Sequence, residues 1–231
     1  MPEAPRTNER KESARVELFS DGVFAIAITL LVLELIQILH PRSEVDLLTT
    51  FRTHWHAFLA FVIGFITILI CWINHHVAFE FIHRVDTSFL WVNGFLLFVV
   101  TLTPFPTAIL AEYLEKESTI ALAVFGFNYI LISIAAYGIC SYAYNHHLVS
   151  EDSRKFFQWY RLIYRYAIYY TTVAFLICFI STWVAMGMYF ILFALFAAPK
   201  ELTLRLEKIQ NRKKAIPKPK EPEQEEDTIK L

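Results

Sequence analysis

The sequence is poor in charge and in cysteine. Only 19% of its 231 residues are charged, against about 25% in an average soluble protein, whereas 56% are hydrophobic. All three cysteines, Cys71, Cys140 and Cys178, lie in apolar runs, and their odd number permits no complete pairing scheme. These shortages exclude a water-soluble globular domain and argue against a disulfide framework.

The N-terminal stretch also lacks the pattern of a secretory signal peptide. It reads MPEAPRTNERKESARVEL, which is charged and offers no cleavage site of small residues after a short apolar segment. We therefore expect the first apolar run to remain in the protein as a membrane helix. The net charge of −1 arises because a basic body is offset by an acidic final stretch, so it does not indicate a nucleic-acid partner.

Four apolar runs are long enough to cross a bilayer, which takes about 20 residues in a helix. They are residues 18–39, 54–77, 89–111 and 119–144. The apolar stretch 166–199 is too long for one helix, and two spans fit if the fifth begins near Gln158 and the sixth ends beyond Pro199, with Arg161 and Arg165 reaching the interface. We predict an all-α membrane protein with six transmembrane helices.

Basic residues cluster before the first run, after the fourth run and after the last run. With six spans these clusters face the same side, and the positive-inside rule identifies that side as the cytoplasm. We predict that both termini are cytoplasmic, with an N-terminal segment at 1–14, a six-helix membrane domain at 15–206 and a charged, disordered tail at 207–231, because the tail has little to bury.

The first run opens with the densest polar motif, R-V-E-L-F-S-D. An ionisable side chain inside a membrane helix is costly, so Asp21 needs a partner. Arg15 cannot supply it within the same helix, since residues six apart point to different sides. The second run returns to the same depth with C-W-I-N-H-H. We predict a polar network between these helix ends, formed by Arg15, Ser20, Asp21, Trp72, Asn74, His75 and His76.

Further along the first run, Ile26, Leu30 and Leu33 recur at i, i+4 and i+7 with Thr29 beside them, which is one helical stripe. Such a stripe faces lipid, packs on a neighbour, or lines a pore if copies of the helix meet around an axis. In the last case its apolar rings could form a constriction that gates by dewetting. In the third run, Pro104 and Pro106 predict a kink that serves packing.

Two other function classes remain open from the residues alone. His76, Glu80 and His83 have the spacing of metal ligands on one helical face, which would suit a membrane enzyme. Alternatively, Asp21 and the cytoplasmic-side histidines could form the relay of a proton-coupled secondary transporter.

The motif at the start of the first run resembles the R-x-x-x-F-S-D signature of the transmembrane protein 175 family, through Arg15, Phe19, Ser20 and Asp21. The likeness continues through GVFAIAITLLVLEL and, more weakly, in the W-x-N-H-H at Trp72–His76, whereas the segments after the third match in hydropathy only. The sequence looks like a prokaryotic member with one six-helix repeat.

The resemblance implies a passive, leak-type potassium channel rather than an enzyme, in a prokaryotic plasma membrane. It implies a homotetramer whose first helices surround a central K⁺ pathway, without a re-entrant pore loop and without a cofactor; a TVGYG-type filter is likewise absent from the sequence. The constriction falls on Ile26, Leu30 and Leu33, and the selectivity layer on Thr29. The family's motif residues, Phe19 included, brace the pore helix against the second and neighbouring helices. The implied partners are other copies of the chain, the lipid bilayer and K⁺, with no nucleic acid.

Overall fold

The computed structural model describes residues 7–38 and 46–197. Within these ranges the chain is helical, and its one β-type contact is an isolated antiparallel bridge between Ile82 and Val149. The α-helices are α1 Thr7–Ile38, α2 Leu47–Thr53, α3 Trp55–Phe79, α4 Thr87–Leu102, α5 Pro104–Tyr113, α6 Ser118–Asn145, α7 Arg154–Cys178 and α8 Thr182–Phe196. A short 3₁₀ turn, Glu151–Ser153, precedes α7.

Four stretches of the described chain are long and apolar enough to cross a membrane. They are Glu12–Gln37, Trp55–Phe79, Thr87–Tyr113 and Ser118–Asn145, and they agree with the first four predicted spans. α7 is long enough to cross a membrane but carries Arg161 and Arg165. α8 has 15 residues and is therefore about 22 Å long, whereas the hydrocarbon core of a bilayer is roughly 30 Å thick. The all-α class is confirmed, while the count of six spans stays a prediction.

The helix bounds differ from the predicted domain boundaries at the N-terminal end. α1 begins at Thr7, so the predicted N-terminal segment is helical from that residue on. α2 occupies part of the gap that we expected to connect the first two spans. The predicted tail, 207–231, and the end of the sixth span beyond Pro199 lie outside the described residues.

The predicted interruption of the third span is present between α4 and α5. Pro104 and Pro106 have no N–H to donate to the preceding turn, so the helix ends at Leu102 and restarts at Pro104. Thr103 fills the junction. Its N–H bonds the Val100 carbonyl at 3.0 Å, and its hydroxyl accepts a 3.1 Å bond from the Asn128 amide of α6. The break is therefore held by a side chain of another helix, in keeping with a packing role.

α1 packs against α3, α4 and α5, while α6 lies between α4, α5 and α7, and α8 closes the bundle against α7 and α3. α1, α3 and α5 come close together at Gly64. A Cβ there would lie 2.8 Å from the Thr107 side chain and 3.1 Å from Leu31. A small residue is needed at this crossing, as is usual where membrane helices meet closely.

Candidate functional site on the first helix

One face of α1 is fully packed within the chain. It consists of Ser13, Ser20, Phe24, Ala27 and Leu31, each at most 5% exposed. Their spacing of three, four and seven residues places them along one side of the helix. This face joins α1 to the rest of the bundle.

The opposite face of α1 is exposed although it is apolar. Ile26 is 61%, Leu30 40% and Leu33 51% exposed. Phe19, 67% exposed, and Gly22, where a Cβ would meet nothing within 4 Å, continue the same line. α1 is also the least buried of the four candidate spans, with 24% of its apolar window buried against 39–56% for the others. No described part of the chain covers this face.

Thr29 lies beside this exposed face. Its hydroxyl donates to the Ile26 carbonyl at 2.8 Å, which fixes the side chain against its own helix. Because the hydroxyl hydrogen is used there, the lone pairs of the oxygen remain for an acceptor role. A ring of such oxygens from several copies of α1 could contact a partly dehydrated cation.

The N-terminal half of α1 bonds α3 through two carboxylates. Trp72 Nε1 donates to Asp21 Oδ1 at 2.8 Å, and His76 Nδ1 lies 3.0 Å from Glu17 Oε1. The Trp72 and His76 rings stack, with 5.8 Å between centroids and 19° between planes. Asp21 is thus partnered by an indole rather than by a second ionisable group.

A second, fully buried connection runs through α4. His75 Nε2 lies 2.9 Å from Asn93 Oδ1, the Asn93 amide donates to Ser20 Oγ at 3.0 Å, and the Ser20 hydroxyl donates to the Val16 carbonyl at 2.8 Å. Since Ser20 is 0%, Asn93 2% and His75 3% exposed, these bonds have little competition from water. They link α3, α4 and α1.

Two residues of the predicted network, and Phe19 of the predicted bracing set, do not join these bonds. Asn74 bonds α7 and α8: its Oδ1 accepts from the Tyr160 hydroxyl at 2.8 Å, and its Nδ2 donates to the Phe196 carbonyl at 3.0 Å. Arg15 is exposed and makes no hydrogen bond or ion pair with the described residues. Phe19 points away from the buried face.

Two residues of these connections were missed by the sequence reasoning. Glu17 belongs to the same motif as Asp21, one helical turn earlier. This spacing places both carboxylates on the same side of α1 and could have predicted that Glu17 also bonds α3. Asn93 stands alone among apolar neighbours in the third run, and a lone amide in a membrane helix commonly bonds another helix.

The structure does not assemble the metal set considered from spacing. Among residues 7–38 and 46–197, no group of three or more His, Cys, Asp or Glu side chains is placed to hold a metal ion. His76, Glu80 and His83 therefore do not form a ligand set. His76 is directed to Glu17 instead.

Comparison with known proteins gives consistent matches. The family profile described as the endosomal/lysosomal potassium channel TMEM175 matches residues 15–104. A curated potassium channel from Chamaesiphon minutus is 40% identical over 201 residues, covering 85% of this chain and 98% of its own length. One from Streptomyces collinus is 40% identical over 124 residues, covering 54% of this chain and 60% of its own.

A solved structure supports the same relationship. The crystal structure of a lysosomal potassium-selective channel TMEM175 homolog from Chamaesiphon minutus superimposes with a TM-score of 0.70 at 39% identity, covering 81% of this chain and 97% of that one. The exposed apolar face of α1 and the bonds that hold its other face thus occur in a chain that matches these relatives over most of its length. This chain belongs to the TMEM175 family.

Proposed function

We propose that this protein is a potassium-selective, leak-type cation channel in which α1 from four identical chains surrounds a central pathway. The observation that carries the proposal is the apolar face of α1, exposed at Ile26, Leu30 and Leu33. It lies beside the motif shared with a family whose bacterial members are named potassium channels. Six spans, cytoplasmic termini and a plasma-membrane location belong to the same proposal.

In this assembly Ile26, Leu30 and Leu33 form apolar rings. Bare aliphatic side chains cannot replace the hydration of K⁺, so a narrow ring is a barrier to the ion until it widens and fills with water. Thr29 supplies hydroxyl oxygens at the level of these rings. The channel is therefore expected to conduct weakly and to select less strongly than a filter of backbone carbonyls.

The bonds on the buried face have a bracing role in this proposal. Asp21–Trp72, Glu17–His76 and the connection from Ser20 to His75 hold α1 against α3 and α4. Such bonds keep the exposed faces of the four helices in register around the axis. Arg15 and Phe19, for which the described residues offer no partner of this kind, are proposed to contact neighbouring helices of the tetramer.

Purified protein in liposomes tests the proposal through K⁺ flux, measured with and without a Na⁺ gradient. A channel gives passive flux that does not saturate like a carrier, and discrete current steps in planar bilayers. Leu30→Ser is expected to raise the flux because it lowers the dewetting barrier, and Thr29→Val to shift the reversal potential towards that of Na⁺. Saturable, proton-coupled flux without current steps would favour the transporter alternative built on Asp21 and the histidines.

A further inference from the structure

A partly open cavity of about 50 Å³ lies between α3, α4, α6, α7 and α8. Most of its wall is aliphatic or aromatic, including Leu96, Ile132, Ile139 and Leu192. His75 also lines it, from the α3 side. About 10–15 Å³ of such volume holds one water molecule, so the cavity has room for a few waters or for one organic molecule of about four heavy atoms.

The bonding of His75 leaves one of its nitrogens free. The Asn93 amide nitrogen donates to Ser20, so the oxygen of Asn93 faces His75 and must accept from His75 Nε2. Nε2 therefore carries the proton and Nδ1 is an acceptor. Nδ1 is buried and has no hydrogen-bond partner among residues 7–38 and 46–197. A buried acceptor without a partner costs about 1–3 kcal/mol.

Three of the polar side chains around the cavity donate to other acceptors. The Tyr160 hydroxyl donates to Asn74, the Asn74 amide donates to the carbonyls of Ile70 and Phe196, and the Ser133 hydroxyl donates to Tyr129. No side chain within the described residues donates to His75 Nδ1, so a molecule inside the cavity is a source for the donor. An apolar wall around one acceptor fits a ligand with a single O–H group and a small alkyl body.

We propose that this cavity is a binding site for a small neutral O–H donor, with water in plain buffer and a short-chain alcohol when one is present. The hydroxyl donates to His75 Nδ1, and the alkyl group of an alcohol packs on the aliphatic wall. The occupant extends the bonds that run through Asn93 and Ser20 to α1. The site lies apart from the proposed K⁺ pathway, and its existence does not depend on channel function.

The ¹⁵N resonance of His75 Nδ1 tests the proposal directly, because an imidazole acceptor nitrogen shifts upfield when it receives a hydrogen bond. Full-length protein with ¹⁵N-labelled histidine is titrated with 2-propanol and, separately, with acetone, which has nearly the same shape but no O–H. His75→Phe assigns the resonance among the eight histidines. If that variant does not fold, His75→Gln, whose side-chain amide can still donate to Asn93, gives the assignment.

Two matched variants locate the response. Ala136 lines the cavity, and Ala136→Leu fills part of it; Ile134, on the same helix, is 41% exposed, and Ile134→Phe adds bulk outside. We expect a hydrogen-bonded Nδ1 in buffer, which reports water, and a further saturable change with 2-propanol. Acetone is expected to leave the Nδ1 resonance unshifted or to remove the hydrogen bond from water. Ala136→Leu should weaken the 2-propanol response at least about tenfold, and Ile134→Phe should not.

Three results would overturn the proposal. The first is an Nδ1 resonance that keeps the chemical shift of a nitrogen without a hydrogen bond, both in buffer and throughout the 2-propanol titration. The second is an acetone response equal to that of 2-propanol, which would indicate a general solvent effect. The third is an unchanged response to 2-propanol in Ala136→Leu, which would place the alcohol outside this cavity.

Discussion

The two faces of α1 both carry large apolar side chains, but their environments differ. Phe24 and Leu31 are 1% and 2% exposed, whereas Ile26 and Leu33, a few residues away, are 61% and 51% exposed. On the first face every side chain has a neighbour in its own chain. On the second, the part of the chain that the structure describes supplies no cover, and the proposed function places other copies of the chain there.

This contrast shows what hydropathy can and cannot decide. Apolar side chains on a membrane helix are stable both in contact with lipid and in a packed core. The pattern of Ile and Leu is therefore the same on a lipid-facing and on a packed face. Polar side chains differ, because each buried donor needs an acceptor. Ser20 and Asp21, through their bonds to Asn93 and Trp72, therefore determine which face of α1 turns inward.

The largest expected difference between the faces is in stability. Phe24→Ala removes a fully buried ring whose centroid lies 5.3 Å from that of the His75 ring. We expect the free energy of unfolding to fall by about 3–5 kcal/mol. Leu30→Ala on the exposed face should cost under about 1 kcal/mol. Unfolding of both variants in the same detergent measures this, and equal losses would contradict the distinction.

Loss of the bond between Asp21 and Trp72 is expected to have the next largest effect on stability. Removing the indole donor with Trp72→Phe leaves a half-buried carboxylate without its partner, which should cost about 1.5–3 kcal/mol. A double-mutant cycle with Asp21→Ala, which removes the acceptor, isolates the pair from other effects of each substitution. The matched cycle of Asp21 with His76 should give less coupling, since His76 bonds Glu17. Equal coupling in both cycles would indicate a different arrangement of bonds.

A smaller effect is expected from the two hydroxyl side chains of α1. Ser20→Ala leaves the buried Asn93 amide without its acceptor and should cost about 1–3 kcal/mol. Thr29→Ala removes only a bond to the Ile26 carbonyl, on the exposed side of the same helix. The unfolding free energy of this variant should stay within about 0.5 kcal/mol of wild type. If Thr29→Ala were the more damaging of the two, Thr29 would have to be packed against a neighbour.

The sequence predicts much of this architecture because the physical signals are local. Runs of about 20 apolar residues locate α1, α3, α6 and the broken α4–α5 span, and two prolines locate the break. α7 and α8 are harder, since Arg161 and Arg165 lower the hydropathy of one helix and the other is short. α2 escapes detection because seven residues carry too little periodicity.

The polar connections are less predictable, because they depend on helix rotation. Trp72, His75 and His76 follow the spacing of one helical face, and these residues bond towards α1 and α4. Asn74 stands about 100° away from its neighbours on the helix and bonds α7 and α8 instead. Depth in the membrane can be predicted from a run boundary, whereas direction around the helix cannot.

The most direct test of the central claim is the chemical accessibility of the exposed face of α1. In liposomes, Leu30→Cys should react with a charged methanethiosulfonate reagent, and K⁺ flux should fall by about an order of magnitude. Phe98→Cys, on an apolar face of α4 that is 58% exposed, should not respond, and wild type controls for the native thiols. Unreactive Leu30→Cys with undiminished flux would place this face in lipid and contradict a pathway lined by α1.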